Sequence, residues 1–225
     1  MINVAVAGAA GKMGETVCAA VEGAPDMELV GRADPALGTT LADVLEAADV
    51  VVDFTRPDTA LQNALACIEA GVHVVIGTTG FDQAPLATAR PAEGRPQANV
   101  LIAPNFAIGA ILMMRFAEQA ATLMAKAEII ELHHDAKLDA PSGTAARTAE
   151  LMAAATGGAP PPIHSVRLPG FVASQEVILG DLGQTLTIRH DTISRESFMP
   201  GVLLAVRRVG TLESSPVVGL EHLLF

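Results

Sequence analysis

The sequence contains no tryptophan and no tyrosine, and its aromatic side chains are limited to 7 phenylalanines among 225 residues. The core must therefore be built from aliphatic side chains, and hydrophobic residues make up 50% of the chain. A chain of this length can bury such a core in one large domain or two small ones. We therefore expect a globular protein.

Cysteine is equally scarce. The two cysteines, Cys18 and Cys67, lie far apart in predicted helices and outside any CxxC spacing. This pattern argues against a disulfide framework and predicts two buried apolar thiols.

Positive charge is also in deficit, because 14 Lys and Arg face 25 Asp and Glu and the formal net charge is -11. No basic patch interleaved with aromatic residues occurs, so a nucleic-acid partner is not expected. No apolar run approaches the roughly 18 residues of a membrane span. The N-terminus begins with a strand-like segment rather than a signal peptide, and we expect a cytoplasmic protein with no membrane partner.

A strand, a glycine-rich turn and a helix are predicted at the start of the chain. The β-branched run INVAVA at residues 2–7 precedes Gly8, Gly11 and Gly14 and a helical segment over residues 15–22. Such glycines let the backbone turn tightly and approach a pyrophosphate, which then faces the positive end of the helix. The spacing is GxxGxxG rather than GxGxxG, so the turn alone is weak evidence.

Asp34 strengthens the prediction of a dinucleotide site. It follows a second predicted strand, residues 27–33, and lies about twenty residues past the last glycine, where a carboxylate accepts hydrogen bonds from an adenosine ribose. A carboxylate at this place repels a 2′-phosphate. We therefore expect NADH to be used at least as well as NADPH, although the neighbouring Arg32 leaves NADPH open.

Strands and helices continue to alternate as far as residue 103. Further strands are predicted over residues 48–54, 72–76 and 99–103, and helices over residues 57–70 and 82–90. Five strands with helical crossovers predict an α/β fold with a Rossmann-like, doubly wound parallel sheet, which binds ligands at the carboxyl ends of its strands. Residues 77–80 and 103–106 follow two such ends, although each is also an ordinary turn or helix cap when taken alone.

A smaller α+β domain with a four-stranded mixed sheet is predicted next. A long apolar helix over residues 106–125 leads into elements that alternate up to residue 190: a strand at 126–132, a helix at 142–155, and strands at 163–168, 173–179 and 184–190. Helices cover one face of this sheet, so the other face is left to solvent or an oligomer. A helix is predicted again over residues 196–208, and the apolar tail 217–225 is expected to dock on the first domain.

These elements predict two domains. Residues 1–104 and 195–225 would form the dinucleotide-binding domain. Residues 105–194 would form the substrate-binding and oligomerisation domain.

The densest group of reactive side chains is ELHHDAKLDAPSGTA, residues 131–145. His133 or His134 can exchange a proton near neutral pH, Lys137 adds a cation, and a helix beginning at the Ser-Gly-Thr turn presents free N–H groups. Together they predict an acid/base beside an anion site, in particular one for a carboxylate. The alternative is a capped surface loop with solvated histidines. Metal binding by the histidine pair is disfavoured, because adjacent residues on a strand point to opposite faces.

These motifs together resemble the dihydrodipicolinate reductase family. The resemblance rests on ELHHDAKLDAPSGTA with GAAGKMG, DFTRPD, GTTG, APNFAIG, HSVRLPG and GQTLTIRH, and it covers almost the whole chain. It implies an NAD(P)H-dependent oxidoreductase of bacterial lysine and diaminopimelate synthesis. Such an enzyme reduces 4-hydroxy-tetrahydrodipicolinate to tetrahydrodipicolinate with loss of water. The resemblance also implies a homotetramer formed through the substrate domains.

The resemblance implies roles for individual residues. His133 is the expected proton donor or acceptor and Lys137 the expected proton donor, while His134, Gly143 and Thr144 hold the substrate. No metal is expected. The residues expected to bind the cofactor are Gly8, Ala9, Ala10, Gly11, Lys12, Met13, Asp34, Gly77, Thr78, Thr79, Ala103, Pro104, Asn105 and Phe106.

Two other classes of protein remain open from the sequence. A semialdehyde dehydrogenase with a similar nucleotide domain needs a nucleophilic cysteine, and neither Cys18 nor Cys67 is placed at a strand end. A nucleotide-sensing protein without catalysis has no need for the histidine and lysine cluster. One departure from the family concerns residues 156–163, where its members carry a longer loop.

Overall fold

The computed structural model describes the whole chain, residues 1–225, and contains two sheets. Backbone contacts divide the chain into two compact units. The first unit is Met1–Phe106 with Phe198–Phe225, and the second unit is Ala107–Ser197. None of the helices is both long and apolar enough to cross a membrane.

The strands and helices are numbered in chain order. The strands are β1 (Ile2–Ala7), β2 (Met27–Ala33), β3 (Val50–Asp53), β4 (His73–Ile76), β5 (Val100–Ile102), β6 (Lys126–His133), β7 (Ile163–Arg167), β8 (Ala173–Asp181), β9 (Gln184–Thr192) and β10 (Val217–Val218). The helices are α1 (Lys12–Glu22), α2 (Ala42–Leu45), α3 (Pro57–Ala70), α4 (Ile108–Ala121), α5 (Gly143–Thr156) and α6 (Met199–Arg208).

Six parallel strands form the sheet of the first unit, in the order β10-β5-β4-β3-β1-β2. The central strands are rich in valine, and Val4, Val6, Val51, Val52 and Val74 have no exposed surface. Strands of this composition need cover on both faces, as in a doubly wound sheet. The predicted Rossmann-like α/β fold is confirmed, and the carboxyl ends of β1 to β5 share one edge of the sheet.

The start and stop signals of α3 illustrate how local sequence sets an element. Pro57 occupies the first helical turn, where its missing N–H costs nothing, and Gly71 ends the helix in the left-handed conformation with φ of 75°. Both bounds of α3 agree with the helix predicted over residues 57–70.

The helix predicted over residues 82–90 is wrong. Only one 3₁₀ turn forms there, Ala84–Ala87, with Pro85 near its start. The Asp82 carboxylate accepts a hydrogen bond from the Ala84 N–H at 3.0 Å, which stabilises a turn instead of a helix. Pro91 also disfavours the helical conformation of Arg90.

The sheet has one strand more than the five predicted, because the C-terminal tail adds β10 alongside β5. The side chains of Leu220 and Leu223 that follow are buried, so the predicted docking of the tail on the first unit is confirmed. The helix predicted over residues 196–208 is divided in two. A 3₁₀ turn, Arg195–Phe198, precedes α6, which has a proline in its first turn.

The second unit contains a four-stranded sheet in the order β7-β6-β8-β9. The pair β6 and β7 is parallel and the other two pairs are antiparallel, so the predicted mixed sheet is confirmed. Helices α4 and α5 pack on one face around the buried side chains of Ala117, Ile129, Ala149, Met152 and Val177.

Both cysteines are buried and unpaired, as predicted. Cys67 has no exposed surface, and burial raises the pKa of its thiol far above the ordinary value.

Candidate active site

The loop between β1 and α1 has no room for side chains at two of its glycines. Gly8 has a φ of 79°, and a Cβ there would lie 2.7 Å from the carbonyl oxygen of Phe54. A Cβ on Gly14 would lie 2.0 Å from the Gly8 carbonyl oxygen. The loop therefore packs its backbone directly against α1 and the end of β3. This close approach suits a loop that a pyrophosphate must contact through backbone N–H groups.

The start of α1 lies in this loop. Gly11 precedes the helix in an extended conformation and supplies no capping side chain. Ala9 is buried, Ala10 and Met13 are partly buried, and Lys12 is exposed. The first N–H groups of α1 are thus available for an anion rather than for a serine or aspartate cap.

Asp34 follows β2 and lies against the same loop. Its Oδ2 accepts a hydrogen bond from the Ala10 N–H at 3.1 Å, and its Oδ1 accepts one from the Ala36 N–H at 2.9 Å. The carboxylate is therefore fixed beside the glycine loop at the carboxyl edge of the sheet, with part of its surface exposed. A negative charge at this point suits ribose hydroxyls and opposes a 2′-phosphate.

The turn after β4 is tied to the end of β3 through Asp53. This fully buried carboxylate accepts hydrogen bonds from Asn63 at 2.7 Å and from the Thr55 hydroxyl at 2.7 Å, and the Thr78 hydroxyl lies 3.3 Å from it. Thr79 is exposed beside Thr78. Asp53 was not predicted from the sequence, although the motif DFTRPD places it at the end of an apolar strand.

Aromatic packing joins the ends of β3 and β5. The ring of Phe54 lies 5.6 Å from that of Phe106, and a Cβ on Gly77 would lie 2.1 Å from the Phe54 ring. Ala103 is buried, Pro104 is exposed and Asn105 is partly buried between β5 and Phe106. All the residues predicted to bind the cofactor therefore lie in the first unit, in the loops that follow β1, β2, β4 and β5 or in the first turn of α1.

The second unit contains the predicted acid/base. His133 ends β6, and its Nδ1 contacts the Oε2 atom of Glu131, which lies two residues earlier on the same face of the strand. Glu131 is fully buried. Arg167 at the end of β7 donates two hydrogen bonds to this carboxylate, one to each oxygen, at 2.9 Å and 2.7 Å. Only 14% of the His133 side chain is exposed.

These contacts shift two pKa values. Burial by itself would raise the pKa of Glu131, but hydrogen bonds from Arg167, Ser165 and His133 together hold its pKa below the ordinary carboxyl value. Burial lowers the pKa of His133, and the charges of Lys137 and Arg167 lower it further, against the opposing effect of Glu131. The lowered pKa favours the neutral form of His133, and the Nδ1 atom that contacts the ionised Glu131 is then the nitrogen that carries the hydrogen.

Lys137 lies in the loop that follows His133. Its Nζ pairs with both carboxylate oxygens of Asp139, at 2.7 Å and 2.6 Å, and its backbone N–H donates to the His134 carbonyl at 3.1 Å. Arg167 also donates to the Asp139 carbonyl at 2.8 Å. The loop that carries the lysine is thus anchored to the same arginine that holds Glu131.

Helix α5 begins directly after this loop. Ser142 is its N-cap, and its buried hydroxyl accepts a hydrogen bond from the Ala145 N–H at 3.2 Å. Gly143 is exposed and would meet nothing within 4 Å if it carried a Cβ, and Thr144 is partly buried. His134 is exposed at the other end of the loop. The predicted catalytic and substrate-binding residues thus all lie in one unit, on β6, the loop and the start of α5.

Sequence reasoning missed Glu131 and Arg167. Alternation along β6 places Glu131 on the same face as His133 and was visible in the sequence. Arg167 becomes a neighbour only through the register of β6 with β7, which pairs His133 with Arg167. No group of three or more His, Cys, Asp or Glu side chains converges as a metal ion would require.

Two family descriptions match the chain along nearly its whole length. Residues 2–106 match "Dihydrodipicolinate reductase, N-terminus", and residues 109–224 match "Dihydrodipicolinate reductase, C-terminus". The chain belongs to the dihydrodipicolinate reductase family. The predicted family and the predicted class of enzyme, an oxidoreductase that uses a nicotinamide cofactor, are confirmed.

Individual relatives and a solved structure belong to the same family. The chain is 51% identical to the 4-hydroxy-tetrahydrodipicolinate reductase of Thermobifida fusca, over 100% of this chain and 99% of the relative. It is 48% identical to that of Mycolicibacterium smegmatis, over 99% of each chain. The structure is similar to the dipicolinate-bound dihydrodipicolinate reductase of Paenisporosarcina sp. TG-14, with a TM-score of 0.81 and 35% identity over 99% of each chain.

The alignment with the Thermobifida fusca enzyme spans 247 positions, more than the 225 residues of this chain. A more distant likeness, to an aspartate semialdehyde dehydrogenase of Vibrio cholerae with a TM-score of 0.58 and 13% identity, concerns the fold alone.

Proposed function

We propose that this chain reduces 4-hydroxy-tetrahydrodipicolinate to tetrahydrodipicolinate with loss of water, as a step of diaminopimelate and lysine synthesis. The proposal rests on family membership together with one feature of the second unit. A histidine at the end of β6 contacts a buried carboxylate, and the loop that follows carries a lysine and leads directly to a helix N-terminus. A proton carrier beside an anion site is what the reduction of a cyclic dicarboxylate requires.

The first unit would hold NADH or NADPH. The fit is supported by the glycine loop, which would contact the pyrophosphate, and by Asp34, which would accept hydrogen bonds from the adenosine ribose. The turn containing Thr78 and the segment containing Asn105 would lie near the nicotinamide. When bound, the reduced nicotinamide supplies a hydride. Because Asp34 presents a negative charge at the ribose, we propose that NADH is used at least as well as NADPH.

The second unit would hold the substrate through its carboxylates. The first N–H groups of α5, at Gly143 and Thr144, provide partial positive charge without a counterion. Lys137 would exchange its bond with Asp139 for a bond to the substrate, and His134 lies exposed beside it. This arrangement selects a small dianion over a neutral ring.

Proton transfer would use His133 and Lys137. The Nδ1 atom of His133 is engaged by Glu131, so its Nε2 is the atom that can accept or return a proton. The ammonium group of Lys137 can donate a proton to the carbon next to the reduced position, and it balances negative charge that develops on the ring.

NADH oxidation provides the direct test. The substrate is generated in place by the preceding synthase from pyruvate and aspartate semialdehyde, and absorbance at the NADH band is followed. Rapid oxidation should require every component and should be lost in the His133→Ala, Lys137→Ala double variant. If the chain binds NADH but oxidises none of it, the substrate assignment is wrong, while the cofactor assignment stands.

We also propose that the chain forms a homotetramer through its second unit. The sheet face opposite α4 and α5 carries the partly exposed apolar side chains of Ile130, Leu132 and Ile178. Burying them in an oligomer removes apolar surface from water. Sedimentation velocity should give four times the chain mass of 23.1 kDa, and Ile178→Asp should shift the distribution towards smaller species. A monomer at all concentrations would exclude the assembly.

A further inference from the structure

Glu131 is the most deeply buried charged side chain of the second unit, with 0% of its surface exposed. A carboxylate in this position is costly unless every oxygen is paired. Its partners are the fork of Arg167 and the Nδ1 of His133, with Ser165 as a further hydrogen-bond partner. The Glu131 side chain thus has no contact with solvent, and His133 is the histidine that its carboxylate contacts.

Besides its hydrogen bonds to Glu131, Arg167 contacts the loop that carries Lys137. One of its terminal nitrogens, Nη2, donates both to the Glu131 carboxylate and to the backbone carbonyl of Asp139. The side chain of Asp139 in turn holds the ammonium group of Lys137. A single guanidinium therefore connects the strand that carries His133 with the loop that carries Lys137.

We propose that Glu131 and Arg167 are positioning residues. They fix the orientation and tautomer of the His133 ring and hold it at a constant distance from Lys137. This inference rests on the proposed function, because it assigns His133 and Lys137 their roles in proton transfer. Neither residue would touch the substrate. With Nδ1–H donated to Glu131, the Nε2 lone pair is the only basic position of the ring, and it points away from the carboxylate.

The charge of Glu131 also sets how basic His133 is. The groups that face the imidazole are Glu131 on β6, Arg167 on β7 and Lys137 in the loop, with Asp139 paired to that lysine. Glu131 raises the pKa of His133, whereas burial and the two cations lower it. Removal of the carboxylate should therefore leave a less basic imidazole in mixed tautomers.

Histidine NMR tests the inference without any catalysis. In ¹⁵N-histidine-labelled protein, the His133 signals are assigned by their absence in His133→Asn. The native signals should be those of the Nδ1–H tautomer. In Glu131→Gln the His133 pKa should fall, and the two tautomers should both be populated. The matched control is Glu128→Gln, which removes the same charge from the other face of β6, where Glu128 pairs with His164 at 2.8 Å. It should leave the His133 signals and the His133 titration unchanged.

Steady-state kinetics give the second measurement. Glu131→Gln should lower kcat by about 10²-fold with little change in the KM for substrate, because the proton carrier is misplaced while the anion site remains. Glu128→Gln should retain the native kcat. If native protein shows no turnover, the proposed function fails, yet the NMR measurement still decides the positioning role.

A second variant separates loss of positioning from loss of the fold. Glu131→Gln leaves the partly buried guanidinium of Arg167 without its counterion, a loss that destabilises the fold. The Glu131→Gln, Arg167→Met double variant removes both charges and avoids that cost. It should fold, keep a lowered His133 pKa and keep a low kcat. Recovery of the native kcat in the double variant, or a His133 titration identical to the native one in both variants, would overturn the proposal.

Discussion

Replacing Lys137 should lower the rate of the reaction without changing the affinity for NADH. Lys137→Met keeps the length of the side chain and removes the ammonium group. We expect kcat to fall by about 10²–10⁴-fold, the range for a lost general acid, because no other cation in the loop can replace it. NADH affinity should be unchanged, since every residue predicted to bind the cofactor lies in the first unit.

The measurement for Lys137→Met is single-turnover NADH oxidation beside a fluorescence titration with NADH. Lys126→Met is the matched control, because Lys126 begins β6 and is exposed. It should behave as the native protein. Equal losses of NADH affinity and turnover in Lys137→Met would contradict the role assigned to this lysine.

Asp34 should decide the choice between the two cofactors. Asp34→Asn keeps an oxygen for the Ala36 N–H and removes the charge. A 2′-phosphate about 4 Å from a carboxylate near a protein surface meets a repulsion of about 4 kcal/mol before screening by salt. Loss of that charge should raise the ratio of kcat/KM for NADPH to that for NADH by at least about 10-fold.

The ratio is informative even if the loop loosens, because both cofactors share the pyrophosphate contacts. Asp82→Asn serves as the comparison, since Asp82 also accepts a backbone hydrogen bond in an exposed turn of the first unit. It should leave the ratio unchanged. An unchanged ratio in Asp34→Asn would show that this carboxylate does not face the ribose.

At the scale of one element, the fit between α1 and its loop depends on Gly14. Alanine at this position would gain about 1 kcal/mol of helix propensity. It would also place a Cβ 2.0 Å from the Gly8 carbonyl oxygen, and overpacking of this kind costs about 1–3 kcal/mol. The cost of the clash should exceed the gain in helix propensity. The atoms that the Cβ would meet belong to the backbone of Gly8 and Ala9, and they move only if α1 shifts away from the loop.

We therefore expect Gly14→Ala to lower the melting temperature and to weaken NADH binding about 10-fold or more, which corresponds to 1.4 kcal/mol. Gly180→Ala in β8 is the matched control, since a Cβ there meets nothing within 4 Å. Calorimetry and NADH titration give both quantities. Native affinity in Gly14→Ala would show that the loop can move without affecting the cofactor site.

The elements that the sequence predicted well are those with strong local signals. The bounds of β2 and α3 agree with the prediction. For α3 the reason is local, because Pro57 marks its first turn and Gly71 marks its end. The helix predicted over residues 82–90 does not form, because the Asp82 carboxylate stabilises a turn and Pro91 disfavours the helical conformation of Arg90. At the site, the HHxxK motif was visible, but the contact of Arg167 with Glu131 joins residues 36 positions apart and depends on strand register. Local pattern carries no information about such pairing.

At the scale of the whole molecule, the first unit is assembled from both ends of the chain. The chain leaves it after Phe106, forms the second unit, and returns at Phe198. The returning segment supplies α6 and β10. Asn99, which directly precedes β5, donates to the carbonyls of Val209 and Leu212 in this segment, at 3.0 Å and 3.2 Å. Contacts of this sequence separation form only after the intervening unit has been synthesised.

This topology predicts that a chain ending at Ser197 cannot form a stable first unit. It would lose the buried side chains of Val202, Val206, Val209 and Leu220, each worth about 1.5–3 kcal/mol. The loss of about 6 kcal/mol or more is comparable with the entire stability of a typical domain, about 5–15 kcal/mol. The truncated chain should therefore fail to bind NADH and should expose the first unit to protease.

A chain ending at Leu223 is the appropriate comparison, because it keeps α6, β10 and Leu220 and lacks only two residues. Limited proteolysis followed by mass spectrometry should cut the Ser197-terminated chain within residues 1–106 and spare the Leu223-terminated one. The cleavage should be suppressed by NADH only in the longer chain, since a ligand protects a fold only where that fold exists to bind it. Equal protection of both chains would mean that residues 1–106 fold without the returning segment, and that α6 and β10 add cover to a sheet that is already stable.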